Sequence, residues 1–264
     1  MREQDAAWSP AQVSAWLERL GLQYPAVLDA TFLDLVQRQH LRRIPFETLD
    51  VAPLGRYQPL SYQDSYDKIV GSGRGGYCFE LNGLLGTMLE ALGYLVIVHP
   101  GHWVTDPATP FDRFEHFVLE VTVPDDGSRW YVDVAAGREN PQGIVELGGI
   151  AADEQHRSRQ VGSEWHLERA DGAGGWQPRL VWYSQICTLD DFQTRHRYFH
   201  TDPDSIFRRL VLCTMQTENG RITLANHTQI VTEHGNRTET ELGDDAAWRQ
   251  ALATHFGIQI ETTQ

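Results

Sequence analysis

The hydrophobic period of this chain changes once, at Gly93, and that change sets its broad fold class. Up to residue 93 apolar side chains recur at helical spacing, and from Tyr94 they gather in short alternating runs separated by turn residues. "SPAQVSAWLERLG" reads as a helix, with Ser9 as N-cap, Pro10 at its first position, Gln12 completing a capping box, and Val13, Trp16, Leu17 and Leu20 on one face. A second helix is expected from about Ala26 to His40, with Leu28, Phe32, Leu35 and Val36 inward, stopping before Pro45. A short third covers Gln63 to Val70. The fourth starts at or near Cys78, carries Leu81, Leu84, Leu85, Met88, Leu89 and Leu92 on one face, and ends at Gly93. Strand-like runs follow: "YLVIVHPGHWV", "FEHFVLEVTV", "RWYVDVA", "EWHLERA" and "RLVWYSQI". The last segment offers "FRRLVLCTMQT", the turn "ENGR", "ITLANHTQIVT" and a helix with Trp248, Leu252 and Phe256 inward. The pattern is α+β.

With 264 residues, 41% hydrophobic and 22% charged, the chain can bury one large core or two to three smaller ones. No run approaches the length of a membrane span, and "MREQDAAWSP" lacks the apolar centre of a signal peptide. Cys78, Cys187 and Cys213 cannot all pair with one another and match no metal clamp, so a reducing, cytoplasmic setting is expected. The eleven histidines include no H-E-x-x-H pattern, and no metal is expected. A formal charge of −14 without a basic, aromatic-interleaved run argues against nucleic acid, although an anionic small molecule could still meet a few local arginines or a helix N-terminus.

One stretch, "IVGSGRGGYCFELNG", supports two incompatible chemistries. Gly71, Gly73 and Gly76 fit the G-x-G-x-x-G spacing of a dinucleotide-binding loop, which requires a strand before it, a helix after it, and an acid at the end of the next strand. Only the helix is present. The alternative is a nucleophile: a thiolate at Cys78 would meet the unpaired N–H groups and positive dipole end of the fourth helix, with glycines leaving room above the sulfur. The plainer alternative is a small buried hydrophobe.

A nucleophilic cysteine needs an imidazole and a group to orient it. His116 in "FEHFVLEVTV" shares a strand face with Phe114 and Val118, and Asp133 in "RWYVDVA" faces away from Val132 and Val134. A four-residue hairpin loop that pairs Val123 with Ser128 sets Asp133 opposite Val118, one diagonal step from His116 on the same face. A two-residue loop would hold them further apart, and a three-residue loop would put them on opposite faces. On the residues alone, Asp133 could equally be a solvent-facing strand residue.

"RGGYCFELNG" and "IPFETLD" resemble the active-site signature and an upstream segment of the arylamine N-acetyltransferases, and the order Cys78, His116, Asp133 is similar to that family's triad. The resemblance extends to "DPDSIFRRLVL" and "NGRITL". It implies a three-part fold of the papain- and transglutaminase-like cysteine enzymes: an N-terminal helical bundle over residues 1–93 bearing the cysteine, a β-barrel over 94–190 bearing His and Asp, and an α/β lid over 191–264. It further implies ping-pong acyl transfer from acetyl-CoA, a cosubstrate, through a Cys78 thioester to an arylamine, arylhydrazine or N-hydroxyarylamine, with no bound cofactor. By the same resemblance Phe46 and Ala136 would line the acceptor pocket, Ser205 would lie near CoA, and Glu47 and Arg74 would support the site as an ion pair. Oligomeric state is not legible.

Two positions depart from the family pattern. "VDVAAGR" stands where "VDVGFG" is usual, so Ala136 replaces an acceptor-contacting aromatic, and Glu115 replaces the usual Thr before the histidine. A lost ring widens the pocket. A macrolactam-forming amide synthase of the same family is therefore an alternative, a thiol hydrolase or transglutaminase-like enzyme a further one, and a non-catalytic binding module is disfavoured by the filled triad.

Overall fold

The computed structural model describes residues 8–104 and 112–260. Residues 1–7, part of the stretch "MREQDAAWSP" that lacks a signal-peptide core, lie outside the described residues. In chain order the elements are α1 (Pro10–Arg19), α2 (Ala30–Arg43), β1 (Phe46–Glu47), α3 (Tyr62–Tyr66), a π-helical turn (Asp67–Gly71), α4 (Cys78–Leu92), β2 (Leu95–Trp103), β3 (His116–Thr122), β4 (Arg129–Val132) and β5 (Val145–Glu146). They continue with β6 (His156–Val161), β7 (Glu164–Ala170), β8 (Trp176–Tyr183), α5 (Gln193–Thr201), α6 (Ile206–Arg209), β9 (Leu212–Gln216), β10 (Gly220–Ala225), β11 (Thr228–Glu233), β12 (Asn236–Glu241) and α7 (Asp245–Phe256). Among the described residues no helix is long and apolar enough to cross a membrane.

The chain groups into two compact units, Met1–Gln39 with Asn82–Thr188, and His40–Leu81 with Leu189–Gln264. This grouping interleaves the consecutive segments read from the sequence. The reason lies partly in β1, a two-residue strand too short to carry a period, which pairs with β9 through Phe46↔Thr214 and Glu47↔Cys213.

The first unit is built on a seven-stranded antiparallel sheet in the order β5-β4-β3-β2-β8-β7-β6. Its two ends meet at Ser158, whose hydroxyl donates to the Glu146 carbonyl at 2.7 Å and accepts from the Gly148 amide at 2.8 Å, so the sheet is nearly closed. Val118, Tyr131, Val145, Leu167, Leu180 and Trp182 fill one buried cluster. The β3–β4 hairpin has the four-residue loop anticipated: Leu119 pairs with Val132, and the Val123 amide donates to the Ser128 carbonyl at 2.9 Å. Helix α4 from Asn82 onward lies close on the sheet, since a Cβ at Gly86 would sit 3.2 Å from Leu119 Cδ2 and 3.6 Å from Val96 Cγ1.

Helix α1 has the capping box read from its sequence. Helix α2 is phased differently from the expectation. Leu33, Val36, Gln37 and His40 are buried, whereas Leu35 is 39% exposed. Two polar residues on the buried face concealed the true stripe, and the helix begins later because Asp29 caps it, accepting from the Phe32 amide at 2.8 Å.

The second unit carries a five-stranded antiparallel sheet, β1-β9-β10-β11-β12, covered by α7. Trp248, Leu252 and Phe256 face inward with Cys213, Ile222 and Leu224. The run "ITLANHTQIVT" is two strands, β10 and β11, folded at Asn226, which has φ of 49°. Fully exposed β12 and helix α5 had no apolar stripe to betray them.

Candidate active site

The glycine stretch packs instead of cradling. It follows α3 and the π-helical turn where a dinucleotide loop would follow a strand. A Cβ at Gly75 would lie 2.0 Å from the Pro45 carbonyl oxygen, and the Glu47 amide donates to the Gly76 carbonyl at 2.8 Å. Glycine is required here because two backbones touch. Gly73, at φ +65°, makes the turn that brings them together.

That turn delivers Cys78 to the first position of α4. The Tyr77 carbonyl accepts from the amides of Glu80 and Leu81, while the Glu80 carboxylate returns to accept from the Tyr77 amide at 3.0 Å, closing the helix start. The Tyr77 hydroxyl is hydrogen-bonded to His196 Nδ1 on α5, and His196 Nε2 donates to the Gln58 carbonyl at 2.7 Å. Cys78 is buried and in no disulfide. Cys78 is thus the first residue of a fifteen-residue helix, at the positive end of its dipole.

Beside this turn lies a buried charge cluster. Arg74 Nη2 meets Glu47 Oε1 at 2.6 Å, joining the two residues expected to pair, and Arg74 Nη1 reaches Asp50 at 3.3 Å. Lys68 Nζ adds contacts to Asp50 at 2.8 Å and Glu80 at 2.9 Å. Burial works against the Lys68 charge, but Glu47, Glu80 and Asp50 outweigh it, and its pKa is raised. Burial raises the Glu80 pKa despite Lys68. These ion pairs tie α3, the glycine turn and α4 into one support.

In the first unit, His116 Nε2 lies 2.7 Å from Asp133 Oδ2, the approach that the four-residue loop allows and a three-residue loop would have prevented. Oδ2 also accepts from the Tyr131 hydroxyl at 2.6 Å, and Oδ1 accepts from Asn82 Nδ2 at 2.9 Å and the Ala135 amide at 2.8 Å. Every acceptor direction of a fully buried carboxylate is thus filled. Burial alone would raise the Asp133 pKa, but the facing His116 and the bonds from His116, Tyr131 and Asn82 hold it lowered. The Tyr131 pKa is raised well above normal by burial and the Asp133 charge, so the phenol stays protonated and donates.

Asn82 is itself locked: Nδ2 also donates to the Phe117 carbonyl at 2.7 Å, and Oδ1 accepts from the Val134 amide at 3.0 Å. Gln37 Oε1 on α2 accepts from the Asp133 amide at 3.0 Å. With Nε2 donating to Asp133, the neutral ring keeps Nδ1 as its acceptor. That atom is buried and has no hydrogen-bond partner among the described residues. The Trp103 ring packs against the imidazole with centroids 4.8 Å apart.

Gln37, Asn82, Tyr131 and His196 escaped the sequence reading. Asn82 stands one helical turn after Cys78 and Tyr131 two strand positions before Asp133, so spacing could have drawn attention to both. Gln37 and His196 come from distant segments and left no local signal. Of the remaining expected residues, Phe46 is buried in β1 with its ring 6.2 Å from that of Phe207. Ala136 is buried in the first unit, its amide donating to Asn140 Oδ1 at 2.9 Å. The buried Ser205 hydroxyl donates to the Phe199 carbonyl at 2.8 Å. Among the described residues no group of three or more His, Cys, Asp or Glu could hold a metal ion.

The N-acetyltransferase family model matches residues 29–264. The arylamine N-acetyltransferase of Mycolicibacterium smegmatis is 30% identical over 94% of this chain and 92% of its own length. The solved arylamine N-acetyltransferase of Salmonella typhimurium superposes with a TM-score of 0.87 at 26% identity, covering 97% of this chain and 94% of that one. The Mycobacterium marinum arylamine N-acetyltransferase in complex with CoA gives 0.84 at 26% identity, covering 93% and 92%. The chain is therefore a member of the arylamine N-acetyltransferase family, a family of acyltransferases with this α+β fold.

Proposed function

We propose that this enzyme moves an acetyl group from acetyl-CoA through a Cys78 thioester to the nitrogen of an arylamine, arylhydrazine or N-hydroxyarylamine, with Cys78, His116 and Asp133 as its triad. The observation that carries this is the saturated Asp133 carboxylate, which fixes His116 with Nδ1 as the nitrogen left to exchange a proton. The thiol proton passes to Nδ1, and the thiolate attacks the acetyl carbonyl carbon. The C–S bond to CoA breaks, and the CoA thiol departs with the proton from His116. The amine nitrogen then attacks the Cys78 thioester, His116 takes its proton, the C–S bond breaks and the amide leaves. Amides at the α4 N-terminus would hold the oxyanion in both halves.

CoA as cosubstrate is supported by the M. marinum relative in complex with CoA. Phe46 and Ala136 are proposed to border the acceptor, and Ser205 to support the segment near CoA. The small Ala136 side chain also favours a second possibility, a bulkier acceptor as in an amide synthase, which acceptors graded by size would distinguish. Intact mass spectrometry with acetyl-CoA and no acceptor tests the central step. An acetyl adduct should form and disappear in Cys78→Ser; a wild type that stays unmodified would sink acetyl transfer.

A further inference from the structure

We propose that Tyr131 is a positioning residue that limits how tightly Asp133 holds the His116 ring, because its hydroxyl and His116 Nε2 share one carboxylate oxygen. The proposal rests on the triad assigned above.

The sharing is direct. Asp133 Oδ2 receives Tyr131 at 2.6 Å and His116 at 2.7 Å, while Oδ1 is occupied by Asn82 and the Ala135 amide. Neither donor to Oδ2 can move to a vacant lone pair. Two donors on one oxygen divide its charge, so the phenol weakens the pull on the imidazolium that forms when Cys78 loses its proton. The ring cannot swing aside: Tyr131 is fully buried, its centroid 5.2 Å from that of Trp182, with Val118, Val145, Leu167 and Leu180 in the same cluster. Its strand position enforces the contact, since residues 131 and 133 point to one face.

Among the described residues, His116 from β3 and Tyr131 are the titratable groups that hydrogen-bond the carboxylate; α4 gives it the neutral Asn82, while the neutral Gln37 of α2 accepts from the Asp133 backbone amide. Glu120, across the ladder from Tyr131, is engaged by His99 at 3.2 Å and Arg129 at 2.7 Å.

A purely structural tyrosine would also want a partner for its hydroxyl, so the test must read the imidazole. NMR titration of ring-labelled histidine serves, with the His116 signal assigned by its loss in His116→Gln. In Tyr131→Phe the pH at which the ring sheds its proton should rise by about one unit, the worth of one hydrogen bond to a charged group. Site-specific 3-fluorotyrosine at 131, a stronger donor, should move it downward, and it keeps the test alive if Tyr131→Phe does not fold. The alkaline limb of Cys78 acylation should follow in the same directions. Unchanged titration in the folded variants would overturn the proposal. If His116 shifts as described in these variants while the wild type takes no acetyl, acetyl transfer alone would be refuted.

Discussion

Replacing Asp133 by Asn alters one atom pair and should cost about four decades in acylation rate. A carboxamide has one accepting oxygen and one donating NH2, whereas all four neighbours of Asp133 donate. With the oxygen on the Oδ1 side, the bonds from Asn82 and the Ala135 amide survive. The NH2 then faces Tyr131 and His116. The phenol can rotate to accept, but His116 Nε2 can accept only if the ring moves its proton to Nδ1. The opposite amide orientation points NH2 at the Ala135 N–H, which cannot reverse, and at Asn82, whose reversal would break its bonds to Phe117 and Val134. Each such mismatch costs about 1–3 kcal/mol, so the first orientation wins. A ring protonated at Nδ1 cannot take the thiol proton. The wrong tautomer in an analogous triad lowers the rate about 10⁴-fold, or about 5.5 kcal/mol. Quenched-flow intact mass spectrometry with acetyl-CoA gives the acylation rate, and urea unfolding checks the fold. A folded Asp133→Asn protein that acylates within about tenfold of wild type would refute the tautomer reasoning and remove Asp133 from the proposed triad.

Three further outcomes follow from the second unit. Burial lowers the His196 pKa to about 4, so the unfolded chain, near 6.5, binds the proton first. Its stabilising contribution is complete above pH 6.5 and lost as pH falls toward 4, at most about 3 kcal/mol; unfolding free energies of His196→Asn should fall less steeply over that window, and parallel curves would refute the assignment. Gly75→Ala places Cβ 2.0 Å from the Pro45 oxygen and should cost about 3 kcal/mol or more, so an unchanged thermal midpoint would contradict the packing described. Lys68→Met leaves Glu47, Asp50 and Glu80 with Arg74 as their remaining partner in the cluster and should destabilise by about 3–5 kcal/mol, less at pH 5 than at pH 8 as carboxylates take up protons. Equal losses at both pH values would show that charge is not the cause.

Local sequence disclosed helix α1 with its cap and the start of α4 at or near Cys78, because each rests on neighbours in the chain and on the fixed 3.6-residue period, whereas for the β3–β4 hairpin it left three loop lengths open and the fold selected the one that joins His116 to Asp133. What stayed hidden depends on contacts between distant segments. The buried stripe of α2 contains Gln37, polar because it must receive the Asp133 amide, and a stripe read by hydrophobicity passes over it. The sequence already argued against a phosphate loop, since no strand precedes the glycines, but what Gly75 is for depends on the Pro45 backbone that the fold lays against it. Tyr131 and Asn82 are ordinary strand and helix residues in the sequence. Their meaning arises in the packed unit, where a buried carboxylate must satisfy every lone pair and chooses its donors from whichever elements the fold has brought alongside.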